Sequence, residues 1–332
     1  MVECAYDVAA VGNAIVDVLA QVDEALLTRI GVAKGVMTLI DAERADQIYA
    51  SLPPAIECSG GSAGNTIAGI ASLGGKGAFI GKIRNDQLGD VFRHDLISQG
   101  VAFTTKAATE GPATARCMIM VTPDAERTMQ TYLGAAVELS PADIDEALVA
   151  EAQVTYLEGY LWDRPAAKQA FLRAAEIAHR AGRKVALSLS DPFCVDRHRA
   201  EFVALVDGHI DILFANQEEV MALYQCDFDQ AIAKLKGAVA LAAVTRGAAG
   251  SMAVAGDLIT LVDAEPLQRL VDTTGAGDLY AAGFLYGLTH GRDLGDCARL
   301  GGICAAEVIS HMGPRPETNL ARLIAEAVLL PV

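Results

Sequence analysis

Positive charge is scarce in this chain. Its 332 residues carry 26 Lys and Arg against 42 Asp and Glu, a formal net charge of −16. Nothing in that balance would neutralise the phosphates of a duplex, which argues against nucleic acid as a partner. Paired cysteines are missing as well. The seven present (Cys4, Cys58, Cys117, Cys194, Cys226, Cys297, Cys304) are odd in number, scattered, and form no Cys-x-x-Cys. Free thiols in a reducing compartment are therefore expected, rather than a disulfide frame or a zinc site. Apolar runs such as Ala238-Val239-Ala240-Leu241-Ala242-Ala243-Val244 are too short to cross a bilayer, so no membrane role is expected. No basic residue precedes an apolar stretch near Glu3 and Asp7, so no secretory signal is expected and the cytoplasm is the expected compartment. Low-complexity segments, repeats and long linkers are absent too. With 52% hydrophobic and 20% charged residues, the chain can bury a large core.

The apolar residues fall into short runs separated by longer helical patterns. Residues 8–12, 154–159, 184–189, 210–215 and 240–245 read as buried strands, each ending in small or polar residues. Helical patterns cover 163–181, 217–224 and 228–236. Strand then helix, repeated, implies an α/β fold with a mostly parallel central sheet covered on both faces. Ligands in such folds sit beyond the carboxyl ends of the strands. Two regions break the rhythm. Residues 15–40 hold no single long helix, and within 101–133 the segments 115–121 and 127–132 flank the turn Thr122-Pro123-Asp124-Ala125-Glu126 as a β-hairpin. Together they are expected to form a small β-sheet lid on one domain spanning 1–332.

The chemistry is concentrated in Asp272-Thr273-Thr274-Gly275-Ala276-Gly277-Asp278, which opens onto the apolar helix pattern beginning Leu279-Tyr280-Ala281-Ala282. Glycine lets a backbone approach a ligand closely, and amides at a helix start favour bound phosphate. Asp278 would repel that phosphate, so it is better explained as a base that takes a proton from an attacking hydroxyl. The plainer alternative is that Asp272 and Asp278 cap the helix. Because the chain is acidic, a nucleotide site must be made locally positive by amides, cations or a metal ion.

Other strand ends carry candidates, each with a structural alternative. Ser59-Gly60-Gly61-Ser62-Ala63-Gly64-Asn65-Thr66 reads as a glycine loop before a helix at 67–73; it lacks the Lys of a P-loop. Asn13 and Asp17 follow the first strand, and Asp17 lies in an apolar setting where ribose hydroxyls or a turn would have to satisfy it. Asn216 and Glu219 have the spacing of a capping box, and Glu219 could also hold Mg²⁺. Thr245, Arg246 and Gly247 suit nucleotide phosphates, or simply turn the chain before 251–254. His311 has no partner at metal-ligand spacing, which argues against zinc.

These segments resemble the ribokinase family of sugar and nucleoside kinases over essentially the whole chain. The early signature is Gly60-Gly61-Ser62-Ala63-Gly64-Asn65 with Gly81-Lys82-Ile83-Arg84-Asn85-Asp86-Gln87-Leu88-Gly89 downstream; the late one runs from Asp272 to Asp278. The resemblance implies a three-layer α/β fold and transfer of the γ-phosphate of ATP to a primary alcohol, dependent on Mg²⁺. Asp278 would be the base, and Gly275, Ala276 and Gly277 the anion hole. It further implies that Asn13, Asp17, Gly61, Ser62 and Asn65 contact the acceptor, while Asn216, Thr245, Arg246, Gly247, Thr274 and His311 serve the nucleotide and Glu219 the metal. A monovalent cation such as K⁺ is a further candidate. Within the family, Asn13-Ala14-Ile15-Val16-Asp17 and Leu189-Ser190-Asp191-Pro192-Phe193 look most like adenosine kinases. Those carry paired Phe residues where Gly159-Tyr160-Leu161-Trp162 stands here, so Tyr160 and Phe193 are the expected aromatic contacts. The acceptor expected is adenosine, with inosine, guanosine, ribose or fructose as the alternative. A non-catalytic nucleoside-binding protein on the same fold is the rival of another class, and Asp278 within the intact loop argues against it. A monomer or a homodimer is compatible with this reading.

Overall fold

The computed structural model describes residues 4–124, 126–267 and 269–328. Thirteen strands are present among them: Tyr6–Val11 (β1), Ile15–Gln21 (β2), Met37–Leu39 (β3), Ile56–Gly60 (β4), Gly77–Ile80 (β5), Ala115–Val121 (β6), Arg127–Tyr132 (β7), Ala152–Glu158 (β8), Lys184–Ser188 (β9), Ile212–Asn216 (β10), Leu241–Thr245 (β11), Ser251–Ala255 (β12) and Leu258–Val262 (β13). Eight form a large sheet in the order β13-β12-β11-β10-β9-β8-β1-β5. It is parallel from β5 to β11 and antiparallel at β12 and β13.

Unbroken apolar runs make these strands because both faces are covered. Along β10, Ile212 and Phe214 join one core cluster while Leu213 and Ala215 join the other. The first cluster includes residues of the helices Ser62–Ser72, Ala276–Thr289 and Leu294–Val308; the second includes those of Pro165–Arg180, Pro192–His209, Gln217–Tyr224 and Phe228–Ala238. Strand order reverses at β1, with β5 on one side and β8 through β11 on the other. A crevice at such a reversal lies beyond the strand ends, where Gly12, Asn13 and Glu158 are found.

The second sheet has five strands, ordered β3-β7-β6-β2-β4. Residues 15–40 supply β2 and β3, and β6 and β7 pair as an antiparallel hairpin. Ala125 of the connecting turn lies outside the described residues. Two details differ from the sequence reading. Residues 101–114 add no strand to this sheet, making isolated bridges to Ala78 and Arg84 instead. The expected loop at 59–66 is largely regular: β4 runs through Gly60 and the next helix begins at Ser62, not at 67. Gly61, at φ +80°, turns the chain within one residue, and its carbonyl accepts the Asn65 amide at 2.8 Å to close the first helical turn.

Candidate active site

Asn13 occupies the gap between β1 and β2 and is 1% exposed. Its Nδ2 donates to Glu158 Oε1 at 2.6 Å, and its amide to Oε2 at 3.3 Å. Ala63, in the first turn of the helix after Gly61, donates its amide to the same Oε2 at 2.9 Å. Burial pushes the Glu158 carboxyl up to about 7, against the pull of the bonds from Ala63 and Asn13. This carboxylate ties the end of β1 to the glycine segment, and the sequence reading missed it. A carboxylate ending a buried strand that also holds Gln153 and Thr155 carries little local signal.

Asp278 stands third in the helix Ala276–Thr289 and does not cap it. The N-cap is Gly275, at φ +80° with Pro314 packed 2.9 Å from where a side chain would begin. The Asp278 carboxylate instead accepts from Ser62 Oγ at 2.6 Å and from Asn65 Nδ2 at 2.9 Å. Burial raises its pKa; those two donors and the charge of Arg315 oppose the rise. The amides expected to form an anion hole do not all remain free, because Ala276 donates to Thr273 O at 3.2 Å. No acceptor faces the Gly277 or Asp278 amide among the described residues, and a side chain at position 277 would meet nothing within 4 Å.

Asp272 holds this loop in shape. It accepts the Thr274 amide at 3.0 Å, the Gly313 amide at 3.1 Å and Arg127 Nη1 at 2.5 Å. Although burial raises it, those amides and Arg127 keep its carboxyl below the usual range. The Arg127 pair joins β7 to the loop 272–278, and Arg127 Nε and Nη2 stay buried without a partner among the described residues.

Asp17 sits mid-strand in β2, 6% exposed, in register with Cys58 of β4 and Cys117 of β6. No hydrogen bond reaches its carboxylate among the described residues. Burial pushes it up to about 6, against Arg315 and Arg127. Two amide oxygens, Asn13 Oδ1 and Asn65 Oδ1, lie buried without donors here, and the carboxylate of the largely buried Asp17 accepts no hydrogen bond among the described residues. Asn65, expected on the acceptor alone, commits its amino group to Asp278 and keeps only that oxygen.

Of the residues expected at the nucleotide, Asn216 and Thr245 are register partners at the ends of β10 and β11. Both structural alternatives are realised. Asn216 and Glu219 form a full capping box, Nδ2 to Oε1 at 2.6 Å and amide to Oε2 at 2.9 Å, and Arg246 N donates to Gly250 O at 2.8 Å across a tight turn. The Glu219 carboxyl, 5% exposed, is pushed up to about 7 by burial. Gly247, at φ +58°, is exposed with open space around it. Among the described residues no three His, Cys, Asp or Glu side chains gather as a metal cluster. What is present, one carboxylate beside an amide oxygen, fits Mg²⁺ held mainly by water and phosphate.

Two candidates stand apart. Phe193 is 84% exposed, because Ser190 at φ +75° and Pro192 at the helix start turn it outward; Tyr160 is anchored nearby, its amide donating to Ser190 Oγ at 3.0 Å. His311, assigned to the nucleotide by resemblance, lies beside two carboxylates, with its Nδ1 against Met312 O at 3.2 Å and its buried Nε2 making no hydrogen bond among the described residues. Its ring nitrogens face Glu307 at 3.3 Å and Glu317 at 3.7 Å.

A carboxylate beside open helix-start amides is suited to phosphoryl transfer, and the sequence profile of the pfkB family carbohydrate kinases matches residues 37–320. The chain belongs to that family. It is a kinase that uses ATP and an alcohol acceptor. A probable sugar kinase from Rhizobium etli is similar at TM-score 0.91 and 50% identity, covering 98% of this chain and 100% of that one. The adenosine kinase of Sinorhizobium meliloti matches at TM-score 0.90 and 53% identity, over 97% and 99%. The adenosine kinase of Saccharomyces cerevisiae is 26% identical over 326 residues, 91% of this chain and 94% of its own length. No helix among the described residues of this pfkB member is long and apolar enough to cross a membrane.

Proposed function

We propose that the protein phosphorylates the 5′-hydroxyl of adenosine with ATP, giving AMP. The observation that carries this reading is the Asp278 carboxylate, aligned by Ser62 and Asn65 beside unpaired amides. The hydroxyl gives its proton to Asp278 as its oxygen attacks the γ-phosphorus and the bond to ADP breaks. The amides of Gly277 and Asp278 meet the charge on the equatorial oxygens, and the spare donors of Arg127 offer more. Mg²⁺, when bound, would be held through Glu219 with Asn216 and would neutralise phosphate charge. Thr245, Gly247 and Thr274 would line the nucleotide.

For the acceptor, the buried unpartnered Oδ1 atoms of Asn13 and Asn65, with the unbonded carboxylate of Asp17, call for a ligand rich in hydroxyl donors. A ribose carries them. The 53% identity to the Sinorhizobium adenosine kinase supports a nucleoside. A free-sugar acceptor is the second reading, favoured by the Rhizobium relative and by Phe193 standing in solvent rather than against a base. A coupled assay of ADP release with adenosine, inosine, guanosine, ribose and fructose decides between them. Adenosine is expected to give the highest kcat/KM; a preference for ribose or fructose overturns the nucleoside and leaves the kinase.

A further inference from the structure

After the helix Leu294–Val308 the chain folds back across the site. Gly313 is bonded to Asp272, Pro314 lies against Gly275, and Arg315 reaches under the glycine segment. The guanidinium donates from Nε and Nη2 to Ser59 O at 3.1 and 2.8 Å, from Nη2 to Ser59 Oγ at 2.8 Å, and from Nη1 to Gly64 O at 2.8 Å. All of these acceptors are uncharged. No carboxylate pairs with Arg315 among the described residues, yet the segment it holds touches two of them: Gly60, next to Ser59, packs against the Asp17 carboxylate, and Asn65, next to Gly64, donates to Asp278. Its charge favours the ionised forms of Asp95, Asp17 and Asp278. Asp95 approaches it through Ser59, whose amide and hydroxyl it accepts at 2.8 and 2.5 Å.

We propose that Arg315 is a positioning residue that acts through its field. From beneath the glycine segment it keeps Asp17 and Asp278 ionised together, so that acceptor binding and proton abstraction operate at the same pH. This rests on reading Asp278 as the base. Two carboxylates in one desolvated crevice resist being charged at once. Each needs its charge, one to bind hydroxyls and the other to take a proton. Other groups facing them do not replace Arg315. Arg127 acts on Asp17 but is already paired with Asp272. The Cys58 and Cys117 thiols beside Asp17 are pushed up to about 12 by burial and stay neutral. Around Asp278, Ser62 and Asn65 are neutral, Tyr156 is buried, and Glu158 adds negative charge of its own. Carbonyl acceptors suit this role, since an arginine bonded to a carboxylate would have its field cancelled there.

The test is the acid limb of kcat/KM against pH, using ATP, Mg²⁺ and the acceptor that the wild-type protein turns over fastest, with melting temperature measured alongside. Arg315→Gln is expected to move the limb up by roughly one pH unit, the low end for losing a neighbouring cation. Arg315→Lys keeps the charge and loses the fork, so its limb stays in place while the acceptor KM rises. Asp95→Asn leaves Arg315 less compensated and moves the limb down by a smaller amount. Opposite shifts on either side of wild type are not produced by loosened packing. An unmoved limb in folded Arg315→Gln, a limb in Arg315→Lys displaced like that of Arg315→Gln, or no downward shift in Asp95→Asn overturns the proposal. Should Arg315→Gln fail to fold, the Lys and Asn variants decide it. Near-wild-type kcat at saturating acceptor in Asp278→Asn removes the underlying reading instead.

Discussion

Two carboxylates face the same crevice, and the two sheets prepare them differently. Asp278, on the large-sheet side, already has two donors in the free protein. Asp17, in the small sheet, has none and is flanked by thiols. A group whose hydrogen bonds are complete is held for a reaction; a buried group left without donors is held for a ligand that brings them. The difference separates rate from affinity, and substitutions at the two sites can break that separation.

The largest effect is expected at Asp278→Asn. Asn keeps the size and removes the basicity, so kcat should fall by roughly 10²–10⁴-fold while ATP affinity holds or tightens. Near-normal turnover would reduce Asp278 to scaffolding. Asp17→Asn should spare the chemical step at saturating acceptor and weaken acceptor binding by about 1.5–3 kcal/mol, read by calorimetry. The same change should stabilise the fold. Because the folded carboxyl titrates near 6 and its reference value is 3.8, Asp17 favours folding below the lower value and loses that contribution as pH rises through 6. At pH 8 the Asn variant should therefore melt higher, by an amount worth roughly 1–3 kcal/mol, with the gap closing toward pH 4. For wild type, acceptor affinity should weaken as pH falls below 6. An Asp17→Asn protein that melts lower at pH 8 would mean the carboxylate is satisfied after all.

Gly277→Ala sharpens the contrast from the phosphate side. Open space surrounds the position and alanine favours helix, so stability should hold while kcat/KM for ATP drops several-fold. A drop in melting temperature instead would give Gly277 a packing role. Glu219→Gln should have the mildest effect. The capping box survives in part, so melting changes little, whereas the Mg²⁺ concentration for half-maximal activity rises. An unchanged Mg²⁺ requirement would leave Glu219 as a cap alone.

The large sheet was legible because strands buried on both faces must be apolar throughout, as in Ile212–Asn216. β4 was not: Ile56 is 71% exposed, and the strand ends in glycine that also reads as loop. Asp278 announced itself as a charge next to a glycine turn. Glu158 was hidden because nothing local distinguishes a strand-ending carboxylate that will clamp residues 145 and 95 positions away. Arg315 acts on Ser59 across 256 positions, and Arg127 on Asp272 across 145. Contacts at such separations depend on the completed topology, and no periodicity encodes them. Capping patterns were the opposite case: Asn216 and Glu219 could be read as a pair because their partners are three residues apart.

Gly60 shows how genetics could misassign this site. It is not in the left-handed region, yet a Cβ on it would land on the Asp17 carboxylate. In an activity-scored substitution scan, Gly60→Ala would rank with the reacting residues although it reaches neither base nor phosphate. What it removes is standing room for a neighbour's charge on the adjacent strand. The signature of that cause is suppression: trimming Asp17 to a smaller residue would recover the yield of folded Gly60→Ala protein without recovering turnover. Loss and rescue would then map a steric conflict between two strands rather than a step in the chemistry.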